Sequence, residues 1–360
     1  MGHAYLSRRR FLANAGVVAA ALALRAGAAR DTTADTASTT PLRCRPIISG
    51  ALRQYDPVFS AAQGKAGWVR ELDDERAIGF DLLWLSNVPS ALSFSGPGDP
   101  LLDLLDLCAE RRVPVILDTG CTGRWYVTPD LQEETRVVRN NVTEIARRYG
   151  QHPAFHAWYV PHEIYVADNL FGMFMNELYP AIVQMCKRAT PNKEVTLSPF
   201  FILDKDKVFG DFRYVEPPEY ERYWAALILR SGFDVIMLQD SGEHFSYVTN
   251  DQRRPFFSAM RNACDTAGAR LWGNVETAEF DCPSIDEYVR RYGRVHHSTV
   301  KDAPWRPVPI DRLETKLRLA AQFCDRIVTW GYNEFCRPHL NARAAQWYAD
   351  YQKYHQRQSV

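Results

Sequence analysis

The sequence lacks an excess of charge of either sign, because its 43 lysines and arginines balance its 43 aspartates and glutamates. Binding to nucleic acid or to an anionic membrane surface needs a basic field, so we expect neither partner. The eight cysteines include no CxxC pair and show no zinc spacing. The sequence therefore predicts no metal site and no cofactor, and it assigns no disulfide.

The N-terminus also lacks an apolar run long enough to span a membrane. The uncharged run over residues 13–24 is shorter than the roughly 20 residues that span a bilayer. It follows Arg8-Arg9-Arg10 and precedes Ala26-Gly27-Ala28, the order of a secretory signal peptide. Consecutive arginines before Phe-Leu resemble the twin-arginine signal. We predict a cleaved signal peptide over 1–29, a flexible lead over 30–43, and a periplasmic or secreted protein without a membrane anchor after cleavage.

The rest of the chain alternates between apolar runs of strand length and segments of helical periodicity. Eight strands are predicted, over residues 47–52, 81–85, 113–117, 154–160, 194–197, 234–238, 269–275 and 326–330. Amphipathic helices are predicted over 101–111, 131–149, 171–188, 220–231, 252–267, 312–325 and 341–354. Strands that alternate with helices form a parallel sheet, and eight such units close into a barrel. We therefore predict a single (β/α)8 TIM barrel over residues 44–355.

Two local features refine this prediction. An open doubly wound sheet would need a glycine-rich first turn, which Ser49-Gly50-Ala51-Leu52 does not supply. Residues 280–309 contain four prolines and interrupt the last repeat, so they are predicted to form an insertion near the barrel mouth. The adjacent His296 and His297 lack a carboxylate at a useful spacing and are interpreted as a solvated loop.

Two glutamates stand at predicted strand ends, where a TIM barrel carries its chemistry. Glu163 follows strand 4 and Glu276 follows strand 7, each among aromatic residues. Glycoside hydrolysis needs two carboxyl groups, one to protonate the leaving oxygen and one to attack the sugar or activate water. The competing interpretation is that each glutamate caps a helix or forms a surface ion pair. Apolar neighbours of Glu163, and donors expected from Tyr332 and Asn333 near Glu276, favour a protonated Glu163 and an ionised Glu276.

This placement resembles that of the clan A glycoside hydrolases. The resemblance implies that Glu163 is the acid/base and Glu276 the nucleophile, while His162 stands where that clan usually has Asn. The chain also resembles a family of bacterial barrels known as domain of unknown function 4434. That likeness lies in Ser49-Gly50-Ala51-Leu52-Arg53-Gln54, in Trp158-Tyr159-Val160-Pro161-His162-Glu163 and in Trp272-Gly273-Asn274-Val275-Glu276.

Further residues near the strand ends are candidates for contact with a carbohydrate, since flat aromatic rings pack on sugar faces and polar groups bind hydroxyls. They are Gln54, Asp118, Trp125, Tyr126, Trp158, His162, Phe200, Asp240, Trp272, Asn274, Trp330, Tyr332 and Asn333. Trp158 and Trp272 fit a buried core equally well. Asp118 and Asp240 fit helix capping equally well, and His162 is interpreted as a polar wall.

Three functions remain open at this point. The first is an exported glycoside hydrolase, with retention as the expected outcome, acting on an oligo- or polysaccharide. The second is a non-catalytic barrel that binds carbohydrate or serves polysaccharide assembly. The third is a metal-dependent hydrolase or deacetylase, which would need clustered histidine and aspartate ligands.

Overall fold

The computed structural model describes residues 41–167, 169–210, 212–240, 245–295 and 299–358. The predicted signal peptide, most of the predicted lead and the pair His296-His297 lie outside these residues. Among the described residues, no helix is long and apolar enough to cross a membrane.

Eight parallel strands form the centre of the fold and follow one another around the sheet in chain order. They are β1 (Gly50–Gln54), β2 (Leu82–Ser86), β3 (Val115–Asp118), β4 (Phe155–Val160), β5 (Glu194–Leu197), β6 (Val235–Gln239), β7 (Arg270–Asn274) and β10 (Arg326–Val328). The sheet closes between its first and last strands. The Thr329 N–H donates to the Gly50 carbonyl, and the Leu52 N–H donates to the Thr329 carbonyl, each at 2.9 Å. The predicted (β/α)8 barrel is confirmed.

Helices cover the outer face of this barrel. They are α1 (Pro57–Ala77), α2 (Pro100–Arg111), α3 (Leu131–Tyr149), α4 (Asn169–Ala189), α5 (Pro217–Ser231), α6 (Asn250–Ala267), α8 (Ile310–Phe323) and α9 (Ala342–Gln358). The sequence pattern does not predict α1. Gly64 divides this helix with a φ of 62°, and its buried face includes the charged Glu75, which pairs with Arg53 at 2.9 Å. The buried face of α1 is therefore not a continuous apolar stripe, which is why the sequence pattern does not reveal this helix.

The predicted insertion forms a small structure of its own beside the mouth. Strand β8 (Ala278–Phe280) pairs antiparallel with β9 (Trp305–Pro307), and the short helix α7 (Ile285–Tyr292) lies between them. Phe280, Tyr288 and Phe245 form an apolar core beneath the hairpin. The hairpin therefore has packing of its own and does not hang from the barrel as a loose loop.

Inside the barrel, an apolar cluster fills the space between the strands. Its members are Leu52, Leu82, Trp84, Ile116, Ala157, Tyr159, Val235, Met237, Trp272 and Val328. Successive side chains on a strand point to opposite faces. The residue two positions after each of these therefore also points inward. Near the C-terminal ends of the strands, such residues define the mouth of the barrel.

Candidate active site

Polar side chains replace apolar ones at the inward positions near the C-terminal strand ends. Alternation from the interior cluster assigns to these positions the polar residues Gln54, Ser86, Asp118, Ser198, Gln239, Asn274 and Glu276, together with Pro161 and Trp330. The open end of a TIM barrel is the face where substrates reach the strands. This polar floor is therefore the candidate active site.

Glu163 lies above this floor, three residues beyond the end of β4. Its carboxylate accepts a hydrogen bond from the hydroxyl of Tyr159, which points into the barrel interior. Tyr159 in turn packs edge-on against Trp84, with ring centroids 4.9 Å apart. Burial, followed by the charge of Glu163, raises the pKa of Tyr159 well above its ordinary value. The phenol therefore stays protonated and remains a donor to Glu163.

Glu276 lies deeper than Glu163 and is fully buried. Its backbone N–H donates to Oδ1 of Asp240 at 3.1 Å, and its carbonyl accepts from Nζ of Lys316 at 2.8 Å. Lys316 also lies 3.0 Å from Oδ2 of Asp240, and both side chains are buried. The backbone of Glu276 is thus held from behind by a buried ion pair.

Asp240 therefore lies on the outer side of its strand end and does not line the mouth, contrary to the sequence prediction. Burial raises its pKa, opposed by the charges of Lys316 and Arg253 and reinforced by that of Glu276. Nε of Arg253 is 4.0 Å from its carboxylate. Because Gln239 points inward, the next residue must point outward towards these cations.

Asp118 points inward as predicted, but its carboxylate already has partners. It accepts hydrogen bonds from the backbone N–H groups of Asn87 at 3.0 Å and Val88 at 2.7 Å. Burial raises its pKa to about 7, against the effect of these two donors. Asp118 thus fixes the loop that follows β2, which fits the capping alternative.

Ser198 joins two amide side chains on the floor of the site, Gln239 and Asn274. Nε2 of Gln239 donates to the carbonyl of Ser198 at 2.7 Å, and Nδ2 of Asn274 donates to its hydroxyl at 3.1 Å. Sequence reasoning proposed Asn274 but missed Ser198 and Gln239. The only signal in the sequence was their place at the ends of predicted strands, since the inward face of each strand is defined by the structure.

Three of the predicted aromatic contacts are wrong. Trp158 faces outward, where its indole N–H donates at 2.7 Å to the hydroxyl of Thr190, the residue that follows α4. Tyr332 also faces outward and packs against Phe80, with centroids 4.9 Å apart. It is therefore not the donor expected near Glu276. Trp272 faces inward but at the opposite end of the barrel, where the guanidinium groups of Arg270 and Arg326 cover its ring.

His162 and Trp125 lie behind the mouth and not on its wall. His162 is fully buried, and its Nε2 lies 2.8 Å from Oε1 of the buried Glu134. Trp125 is 2% exposed, contacts the His162 ring at a centroid distance of 5.1 Å and stacks on Phe171. Tyr126, its neighbour, is partly exposed. The loop after β3 therefore contributes mainly core, contrary to the expected ligand role of Trp125.

The remaining candidates lie around the rim. Trp330 faces inward and is partly exposed, whereas Phe200 is buried against Phe212 and Tyr165. Gln54 is partly exposed at the end of β1. Nδ2 of Asn333 donates to the carbonyl of Leu52 at 2.8 Å, across the seam that closes the barrel.

The sequence did not single out Trp305, which extends the aromatic rim from the hairpin. Its ring stacks on Phe335 at a centroid distance of 5.8 Å and meets Trp330 edge-on at the same distance. All three rings are partly exposed. They form a continuous aromatic surface, here called the aromatic rim, between the insertion and the last strand.

Within the described ranges, no three histidine, cysteine, aspartate or glutamate side chains cluster as metal ligands would. The described cysteines are all free thiols, and most are buried.

Residues 64–342, more than half of the chain, match the family model described as a domain of unknown function (DUF4434). The chain belongs to this family. The resemblance noted in the sequence is thereby confirmed. Among curated proteins, none matches the chain.

Solved structures with a similar fold include several glycoside hydrolases. A protein of Bacteroides thetaiotaomicron VPI-5482 that has been proposed to be an α-L-fucosidase has a TM-score of 0.67 and 19% identity, over 92% of this chain and 99% of that chain. The endo-1,4-β-D-mannanase of Thermotoga petrophila RKU-1 has a TM-score of 0.53 and 12% identity, over 86% and 100%. A GH10 endoxylanase from a sugarcane soil metagenome has a TM-score of 0.50 and 12% identity, over 83% and 90%. These similarities show that the fold is shared with these glycoside hydrolases.

Proposed function

We propose that this protein is an exported glycoside hydrolase that cleaves an oligo- or polysaccharide with retention of configuration. The observation that carries the proposal is the placement of two carboxylates at one barrel mouth. Glu163 reaches over the interior to the hydroxyl of Tyr159, and Glu276 occupies an inward position beyond β7. The proposal is further supported by the fold that the chain shares with glycoside hydrolases and by the aromatic rim, on which sugar rings can pack.

In the proposed reaction, Glu163 donates its proton to the glycosidic oxygen as the bond to the anomeric carbon breaks. A carboxylate oxygen of Glu276 attacks that carbon and forms a glycosyl ester. Glu163, now ionised, takes a proton from water, and the hydroxide released attacks the same carbon and frees Glu276. Tyr159 holds the carboxyl of Glu163 through both half-reactions, because its hydroxyl remains a donor.

A panel of plant and bacterial glycans tests this proposal. Wild type and Glu163→Gln are incubated with each glycan, and the release of reducing ends is measured. We expect the variant to lose at least a hundredfold in activity, the usual scale of general acid catalysis. Equal activity in both proteins, or no activity of the wild type on any glycan, would overturn the proposal. Cell fractionation with antibody detection tests export separately.

One observation favours a second function. The carboxylate of Glu276 is closed from solvent, so a sugar can reach it only if the mouth opens. A barrel that stays closed would bind carbohydrate at the aromatic rim without hydrolysing it. Glycan binding with no product from any bound glycan would establish this carbohydrate-binding alternative.

A further inference from the structure

Two amide groups on the floor of the site have their orientation fixed by Ser198, Asn274 through the hydroxyl and Gln239 through both the carbonyl and the hydroxyl. The Ser198 hydroxyl donates to the carbonyl of Met237 at 2.8 Å, so its only proton is used. It can then act only as an acceptor towards its other neighbours, Asn274 at 3.1 Å and Gln239 at 3.3 Å. Both neighbours must therefore turn their NH₂ groups towards Ser198 and their carbonyl oxygens away from it.

These carbonyl oxygens have no hydrogen-bond partner in the described part of the chain. Oε1 of Gln239 and Oδ1 of Asn274 are both buried and unsatisfied, and their side chains are 1% and 2% exposed. A buried polar atom without a partner is costly. Two of them on neighbouring strands, facing the interior next to Glu276, indicate that an external donor completes the site.

The charge around these oxygens determines which donor fits. The described inward positions at the strand ends include the carboxyl groups of Asp118 and Glu276, but no lysine, arginine or histidine. The nearby cations Lys316 and Arg253 lie behind the strands and pair with Asp240. A floor that is rich in acceptors and carries no cation at its described positions binds hydroxyl groups and leaves the carboxylate of an acidic sugar without a partner.

We propose that Gln239 and Asn274 form a binding site for two hydroxyl groups of a neutral sugar ring, and that this site discriminates against uronic acids. The inference rests on the proposed function only in taking carbohydrate as the ligand. It holds for a hydrolase and for a binding protein alike. Gln239 and Asn274 are as closed from solvent as Glu276, so a sugar reaches their oxygens only if the mouth opens.

Binding of matched methyl glycosides tests the proposal without turnover. The full chain carrying Glu163→Gln is titrated with the methyl glycosides of glucose and glucuronic acid and of galactose and galacturonic acid. Binding is followed by calorimetry and by saturation-transfer NMR. We expect the neutral member of at least one pair to bind at least tenfold more tightly than its acid. Equal or tighter binding of the acids, or binding of no member of either pair, would overturn the proposal.

Variants locate the effect. Gln239→Met and Asn274→Leu each remove one acceptor and should weaken neutral binding about tenfold. The matched control Thr190→Val removes a buried hydroxyl behind β4 and should leave binding unchanged. Ser198→Ala frees the amide of Asn274 to turn its NH₂ group outward, whereas Gln239 keeps its hydrogen bond to the backbone carbonyl of residue 198, so the variant should reduce the preference for the neutral sugar. Unchanged preference in all three mouth variants would contradict the assignment.

The two proposals fail in different ways. Binding of a neutral sugar by a wild type that releases no product would refute hydrolysis and leave this site intact. Hydrolysis of neutral and acidic glycosides at equal kcat/KM would refute the site and leave hydrolysis intact.

Discussion

Nε2 of His162 lies 2.8 Å from Oε1 of Glu134, and both side chains are almost completely buried. The same carboxylate accepts from the backbone N–H of Thr122 at 3.0 Å and from its hydroxyl at 2.5 Å. Burial alone would raise the pKa of Glu134, but its hydrogen bonds and the charge of His162 outweigh this effect and lower it. This contact ties the loop after β3 and helix α3 to the residue that precedes Glu163.

Replacing Glu134 by alanine should lower the free energy of unfolding by about 3–5 kcal/mol, because it leaves buried partners unsatisfied. The lowered pKa means that the carboxylate stabilises the fold at neutral pH and that this contribution is lost as the pH falls through its folded-state pKa. Urea titration measures the change. Glu133→Ala is the control, since the exposed Glu133–Arg136 pair is screened by solvent and should contribute much less to stability. Equal losses in both variants would contradict the prediction.

Asp118 should make stability depend on pH in the opposite direction. Its pKa is raised to about 7 by burial, so between pH 4 and 7 the folded state holds a proton that the unfolded state has released. Stability therefore falls as pH rises through this window, by up to about 1.4 kcal/mol per pH unit. Urea titrations of wild type and Asp118→Asn from pH 4 to 8 measure it. The difference between the two proteins should change across the window, and parallel curves would show that Asp118 does not titrate there.

Trp305 should determine how the protein responds to substrate length. Its ring extends the aromatic rim beyond the strand ends, where sugars farther from the two carboxylates would stack. Trp305→Ala should raise KM for an oligosaccharide about tenfold, on the scale of one aromatic contact, and leave kcat/KM for an aryl monoglycoside unchanged. Leu229→Ala, an exposed apolar residue on helix α5, is the control. Equal losses on both substrates would place Trp305 in a structural role.

Chemical rescue should separate the roles of the two glutamates. Azide can replace a missing nucleophile, so Glu276→Ala with azide should give a glycosyl azide of inverted configuration. Glu163→Ala should instead give a retained azide, because its covalent intermediate still forms and lacks only the base for its hydrolysis. NMR of the anomeric proton identifies each product. Rescue with the two configurations exchanged would reverse the assignment of acid and nucleophile.

The sequence alone determined the barrel and the positions of its strand ends. Apolar runs that alternate with helical periodicity are local patterns, and they placed Glu163 beyond β4 and Glu276 beyond β7. Helix α1 escaped this reasoning because its buried face includes Glu75, whose partner Arg53 lies on a strand 22 residues earlier. From the sequence alone, a charged residue such as Glu75 is expected on the surface, because its buried partner Arg53 is distant in the chain.

Only the tertiary structure decided which side of each strand faces the mouth and how deep each residue lies. Trp158 and Tyr159 are neighbours in the chain, yet the first packs outward against Thr190 and the second points inward to Glu163. The period of two in a strand defines alternation but leaves its phase open. Closure of the barrel and docking of the helices set that phase. Trp272 and Glu276 both take inward positions on β7 and its continuation, but only Glu276 lies at the mouth.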